Sequence, residues 1–300
     1  MRETDLGRYM TTNLKGCIKM TNQYQAITDT IIKALESGSA PWVKPWNAST
    51  SGLDRNATTD RPYNGINRLL LGMQGRTSPL WATYNQWQAL GAQVQKGEKS
   101  TTIVLFKPVS TERKNSDGET ETSSFAMMKS FAVFNADQTD YKAPIVEATS
   151  EFNPIAQCEE RMIKTGAVIN HGGDSAFYQP STDSIRMPIP SDFNSEASYY
   201  ATAFHELAHW TGSKSRLDRT FGARFGDTNY AMEELVAELT SAFLCADHGI
   251  DGKLQHVEYL ASWLKVLKDD NKAIFKASAM AQKATDFILA LDATEQKMVA

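Results

Sequence analysis

Residues 205–209 read His-Glu-Leu-Ala-His, and no other five residues in the chain restrict its fold so strongly. Two histidines four positions apart share a face only if the segment is helical. The pentad therefore commits its surroundings to an α-helix that can aim two imidazoles at one point. Glu206 lies a fraction of a turn away, within reach of a water held at that point, and is the candidate general base. Two imidazoles hold zinc poorly, so a third protein ligand is required. A third histidine six residues on would supply it in one known arrangement, but Ser215 stands there. The remaining source is a carboxylate on a following helix, and Ala231–Phe243 offers Glu233, Glu234 and Glu238.

Helical phase separates these acids. With Glu234 at zero, Glu238 falls at about 40° and Cys245 at about 20°, within a small and apolar arc. Glu233 falls at roughly 260°, beside Thr240 and Asp247, and is expected to face solvent. Two inward carboxylates are costly to bury unless a cation is close. Glu234 is thus the expected third ligand with His205 and His209, and Glu238 the acceptor that orients a ligand histidine. Zn2+ suits two imidazoles and a carboxylate, and Mn2+ or another divalent metal accepts the same donors. Tyr199, Tyr200, Tyr230 and His248 are all candidates to stabilise an oxyanion.

Composition separates this region from what precedes it. The formal charge of −4 over 300 residues joins two unlike halves. Residues 1–150 carry 17 basic and 14 acidic side chains, and residues 151–300 carry 14 and 21. All five histidines lie in the second half, and four of the six tryptophans in the first. Two segments of different chemistry follow, with the boundary expected at about residues 140–151. No apolar stretch approaches the roughly 20 residues that cross a bilayer, and no secretory signal is visible, so a soluble protein with no membrane partner is expected. Three scattered cysteines without CxxC pairs suit a reducing cytoplasm.

Hydrophobic periodicity predicts helices at 23–36, 64–72, 81–90, 154–164, 194–211, 230–248, 254–268 and 271–292. Gly212 and Gly249 are expected to end two of them in the left-handed conformation. Strands are expected at 101–107 and 125–134 around a polar hairpin tip, and at 167–169, 176–179 and 184–187. The last of these is a plausible edge against which an extended peptide could add. The fold class is α+β in two domains, 20–140 and 151–300. The first is a small α+β unit and the second mostly helical with a small sheet.

In the first domain cations interleave with aromatic residues: Trp42, Lys44, Trp46, Arg55, Arg61, Tyr63, Asn64, Arg68, Trp81, Lys96 and Lys99. Cations that follow a phosphate backbone and rings that stack on unpaired bases are what sequence-tolerant single-strand binding needs. No duplex-reading motif is present. Single-stranded DNA is the expected partner.

The order of motifs along the chain resembles the ArdC-type antirestriction proteins of conjugative plasmids. The first domain carries the likeness in Pro41–Trp46, Arg61–Asn67, Trp81–Thr83, Lys96–Lys99 and Phe134–Gln138. The second carries it in Asp183–Pro188, His205–Gly212, Arg216–Arg219 and Tyr230–Leu239. The resemblance implies a single-stranded-DNA-binding domain followed by a zincin-like metallopeptidase domain, and protection of incoming plasmid DNA from restriction. Host restriction proteins are then a possible target. Two alternatives stay open: a DNA-masking protein whose metal site does no proteolysis, and a protease acting on DNA-bound proteins.

Overall fold

A computed structural model describes residues 23–38, 40–42, 53–114, 120–142, 154–219, 228–250 and 259–291. The first helix, α1, spans residues 23–36 and turns Ile27, Ile31, Ile32 and Leu35 inward at helical spacing. Strand β1 (Arg55–Asn56), helix α2 (Ile66–Gly72), strand β2 (Leu80–Ala82) and helix α3 (Tyr84–Ala89) follow. Helix α3 starts later than periodicity predicts because Trp81 and Ala82 belong to β2, and Thr83 then caps the helix in a reciprocal box with Gln86. Strands β3 (Thr101–Lys114) and β4 (Thr120–Asn135) form a long antiparallel ribbon. It exceeds the two expected strands because polar residues assigned to a hairpin tip continue the pairing. The four-stranded sheet runs β1-β2-β4-β3.

The second half opens with helix α4 (Pro154–Thr165) and a three-stranded sheet of β5 (Val168–His171), β6 (Phe177–Gln179) and β7 (Ser184–Met187). The order is β5-β7-β6, so β7 is the central strand and cannot accept a peptide at its edge. The expectation for Ser184–Met187 is therefore corrected: both of its hydrogen-bonding sides are occupied. Helices α5 (Glu196–Thr211), α6 (Thr228–Asp247), α7 (Leu260–Asp269) and α8 (Ala273–Ala290) complete the chain. Gly249 does adopt φ 65°, but Gly212 keeps φ −76° in the right-handed region, so α5 ends without a left-handed cap. The chain leaves α5 instead through a tight turn in which Leu217, Asp218 and Arg219 donate backbone N–H groups to Thr211, Ser213 and Gly212. The turn folds Arg219 back over the end of the helix.

The two halves share a core. Ile31 and Leu35 of α1, Leu69 of α2, and Val104 and Met128 of the ribbon join Leu235, Leu239 and Phe243 of α6, Trp263 of α7 and Ile274 of α8 in one apolar cluster. Gly65 marks how closely the halves approach. It holds φ 55°, donates its N–H to Gln282 at 3.0 Å, and an added Cβ would meet the Ser278 carbonyl at 3.7 Å. An ion pair crosses the same interface, where the Arg68 guanidinium meets the Asp247 carboxylate at 2.6 Å and the Phe243 carbonyl at 2.5 Å. Both side chains are 8% exposed. The family motif Asn135-Ala136-Asp137-Gln138 is a structural clamp. Buried Gln138 holds Glu98 at 2.8 Å and the Lys99 carbonyl at 2.9 Å, which fixes the Lys96–Lys99 loop. Among the described residues no helix is long and apolar enough to cross a membrane.

Candidate metal centre and nucleic-acid residues

Ser195 caps α5 by accepting from the Ser198 N–H at 3.1 Å, and the helix runs unbroken through the histidine pentad. Buried Ala201, Ala208 and Ala237 let α5 and α6 approach closely, and the Ser241 hydroxyl ties them by donating to the Ala201 carbonyl at 2.8 Å. This packing brings His205, His209 and Glu234 together. The two Nε2 atoms are 3.2 Å apart. Glu234 reaches His205 Nε2 at 3.5 Å with one oxygen and His209 Nε2 at 3.7 Å with the other. Donors bound tetrahedrally to one zinc at about 2.0–2.1 Å lie roughly 3.3 Å from each other. The three groups thus have the spacing and the chemistry of one divalent-metal site, and they form such a cluster with ligand atoms all within 4.8 Å. Glu206 is 6% exposed on the same helix.

One expectation fails here. Glu233 does not face solvent: it is 5% exposed, and its carboxylate lies 3.2 Å from His209 Nδ1. Arg219 grips the same carboxylate through two bonds of 2.7 and 3.0 Å, while also donating to the Ala208 carbonyl and the Thr211 hydroxyl. The acceptor at His209 Nδ1 is Glu233. Glu238 is buried one turn further along α6; the Cys245 thiol is pushed upward by burial first, then by Cys158 and Glu238, with the Ser241 hydroxyl opposing. Sequence reasoning gave Arg219 no role. Its signal lay in the Arg-Leu-Asp-Arg motif that follows the histidine helix.

The electrostatics follow from this crowding. Burial of His209 disfavours its charge, yet bonds to Glu233 and Glu234 outweigh that and raise its pKa to about 10. Burial raises the Glu234 carboxyl, but bonds to His205 and His209 reverse this and leave it well below the ordinary range. Among the four oxyanion candidates, Tyr230 is the one placed at the site. It lies against Glu234 and meets the Tyr259 hydroxyl at 3.1 Å. Burial, then Tyr259 and Glu234, hold its phenol in the protonated form. Tyr199 instead meets His171 at 2.8 Å, Tyr200 donates to Glu159, and His248 meets the Leu244 carbonyl.

The candidate nucleic-acid residues divide. Trp81 is fully buried with its indole N–H on Asp54, and Trp42 is 6% exposed and packs edge-on against Trp263 at 5.4 Å. Arg68 is spent on Asp247. These three cannot reach a strand and are corrected to core and interface residues. Arg55 is partly exposed beside Asp60. Arg61, Asn64, Lys96 and Lys99 are exposed and Tyr63 is half-buried. Lys44 and Trp46 lie outside the described residues.

Residues 21–134 match the family model for the N-terminal domain of anti-restriction factor ArdC, and residues 156–280 that for a zincin-like metallopeptidase. The metal-free crystal structure of the antirestriction ArdC protein from plasmid R388 superposes with a TM-score of 0.72 at 38% identity, over 89% of this chain and 96% of that one. The chain belongs to the ArdC family of antirestriction proteins. The manganese-bound structure of that same ArdC protein aligns with equal coverage, and a zincin-like domain in the family implies a divalent metal. An uncharacterized protein of Sinorhizobium fredii, y4eC, is 36% identical over 94% of its length. Two DNA primases TraC of Escherichia coli are each 40% identical over 92% of this chain, which spans only 27% and 20% of their lengths.

Proposed function

We propose that this ArdC-family chain binds single-stranded DNA through its basic first half, and that its second half is a metal-dependent peptidase centre. Together they protect incoming DNA from restriction during plasmid transfer. One observation carries the enzymatic reading: two imidazole nitrogens and a carboxylate converge within 3.7 Å beside a buried glutamate on the ligand helix. His205, His209 and Glu234 would hold the ion, with zinc as our assignment. A bound ion would supply Lewis acidity toward a peptide carbonyl and a water molecule. Glu206 takes the proton from the attacking water and returns it to the leaving amine as the C–N bond breaks. Tyr230, kept protonated, donates to the carbonyl oxygen as negative charge develops there. Glu233 and Arg219 hold His209 in register. Glu238 is the remaining buried carboxylate that we assign to supporting the ligand helices.

Glu206→Ala tests this directly, since it keeps both histidines and removes the base. Transfer of an unmodified plasmid into a restricting recipient is the readout. The peptidase reading predicts that protection falls to the level seen without the protein. Protection equal to the parent would leave DNA masking as the activity, a reading favoured by the exposed cations of the first half. Cleavage of DNA-bound proteins by the parent, dependent on Glu206, would identify that substrate class.

A further inference from the structure

With Trp42, Trp81 and Arg68 in the interior, a DNA strand must be carried by other residues, and the β3–β4 ribbon presents an open face. Its register sets Ile103 opposite Phe131 and Leu105 opposite Lys129, with Lys107 two residues further along β3. Paired residues project to the same side of a sheet, and so do alternate residues along a strand. These five side chains therefore share one face. The reverse face packs on the rest of the fold: Val104 and Met128 are buried in the shared core, and Phe106, still 39% exposed, stacks on Tyr24 and meets Phe275 edge-on. On the outer face Phe131 is 42% exposed and Leu105 47%, and both lysines are exposed. Tyr63 continues the strip, since it packs with Ile103 against Trp81 and Val133.

Charge selects the occupant. Residues 100–111 and 122–136 contain no aspartate or glutamate, and Lys107 and Lys129 are their only charged side chains. A strip of aromatic and aliphatic surface flanked by exposed lysines matches a polyanion whose bases are free to stack. We propose that this outer face is the platform on which single-stranded DNA lies, with bases stacked on Phe131 and Tyr63 and phosphates met by Lys107 and Lys129. The inference rests on the single-strand-binding reading above and gives that activity its residues.

The test uses the full chain, because the first half shares its core with the second. Anisotropy of a labelled oligothymidine of about 20 nucleotides is measured between 50 and 200 mM salt. Phe131→Ala is expected to raise Kd by about 5- to 150-fold, the range for loss of one stacking ring. Phe131→Trp should hold the parental Kd within about threefold, whereas Phe131→Leu should behave as the alanine variant does. Replacing Lys107 and Lys129 together by glutamine should flatten the logarithmic salt slope by about 1.4. Ile163→Ala, at the 64% exposed Ile163 of α4, is the control expected to match the parent. If the Phe131 variants fold poorly, photocrosslinking of an iodouridine strand to the unaltered chain should map to the peptide around Phe131. A parent that binds DNA while the Phe131 and lysine variants bind as tightly would overturn the platform and leave the binding activity intact. A parent that binds no strand at all would end the activity reading and the platform with it. Conversion of a dimer to monomers by Phe131→Ala, with DNA affinity unchanged, would assign the face to a second copy of the chain and reject the proposal.

Discussion

His209 Nδ1 and the Glu233 carboxylate lie 3.2 Å apart, and Arg219 holds both oxygens of that carboxylate through two further bonds. The arrangement turns a neighbouring pair of glutamates on α6 into two tools. Glu234 faces the converging nitrogens and Glu233 fixes the ring that carries one of them.

Loss of an acceptor behind a ligand histidine typically weakens metal binding by about 10- to 100-fold. Glu233→Ala is therefore expected to lower affinity for zinc or manganese by that factor. Arg219→Ala should act in the same direction, because Glu233 then loses its anchor. Competition with a chromophoric chelator measures both. Parental affinity in Glu233→Ala would show that its bond to His209 does not tune the ligand.

Proton competition gives a second expectation. In the metal-free chain the His209 pKa is raised to about 10, above its ordinary 6.5. A group raised on folding contributes stability that is complete below pH 6.5 and is lost as pH climbs through 10. The metal-free melting temperature should accordingly fall between pH 7 and 10, and Glu233→Gln should flatten that fall. Metal uptake needs the neutral imidazole, so binding at pH 7 should release about one proton from His209, measurable by calorimetry in buffers of different ionisation enthalpy.

Arg68 distinguishes a core role from a DNA role. Breaking a buried ion pair by removing one partner costs about 3–5 kcal/mol. At about 2–4 °C per kcal/mol for a large domain, Arg68→Ala should lower the melting temperature by roughly 6–20 °C. DNA affinity of the folded variant should match the parent. A large loss of affinity without a thermal shift would return Arg68 to the nucleic-acid surface.

The convergence of His205, His209 and Glu234 is legible in the sequence because each part obeys helical periodicity. His205 and His209 share a face by spacing alone, and the phase of Glu234 turns it inward. Periodicity misplaces Glu233 for a physical reason. Its arc also holds Thr240 and Asp247, and a polar arc was equated with water. In the fold that arc is covered from two directions. Arg219 returns over Glu233 from the turn after α5, and Arg68 of the first half meets Asp247. Neither contact leaves a periodic trace. The same limit applies to Trp42 and Trp81, since composition counts rings without saying which ones pack a core. Phe131 stood in an ordinary strand pattern, and only the register of β4 against β3 shows that it points outward.

Metal content after the ligand substitutions tests the central claim most directly. The parent, loaded with zinc and passed through a desalting column, should retain about one ion per chain, and both His205→Ala and Glu234→Ala should retain almost none while keeping the parental fold. Retention of a full ion by folded Glu234→Ala would contradict the assignment of His205, His209 and Glu234 as one metal centre.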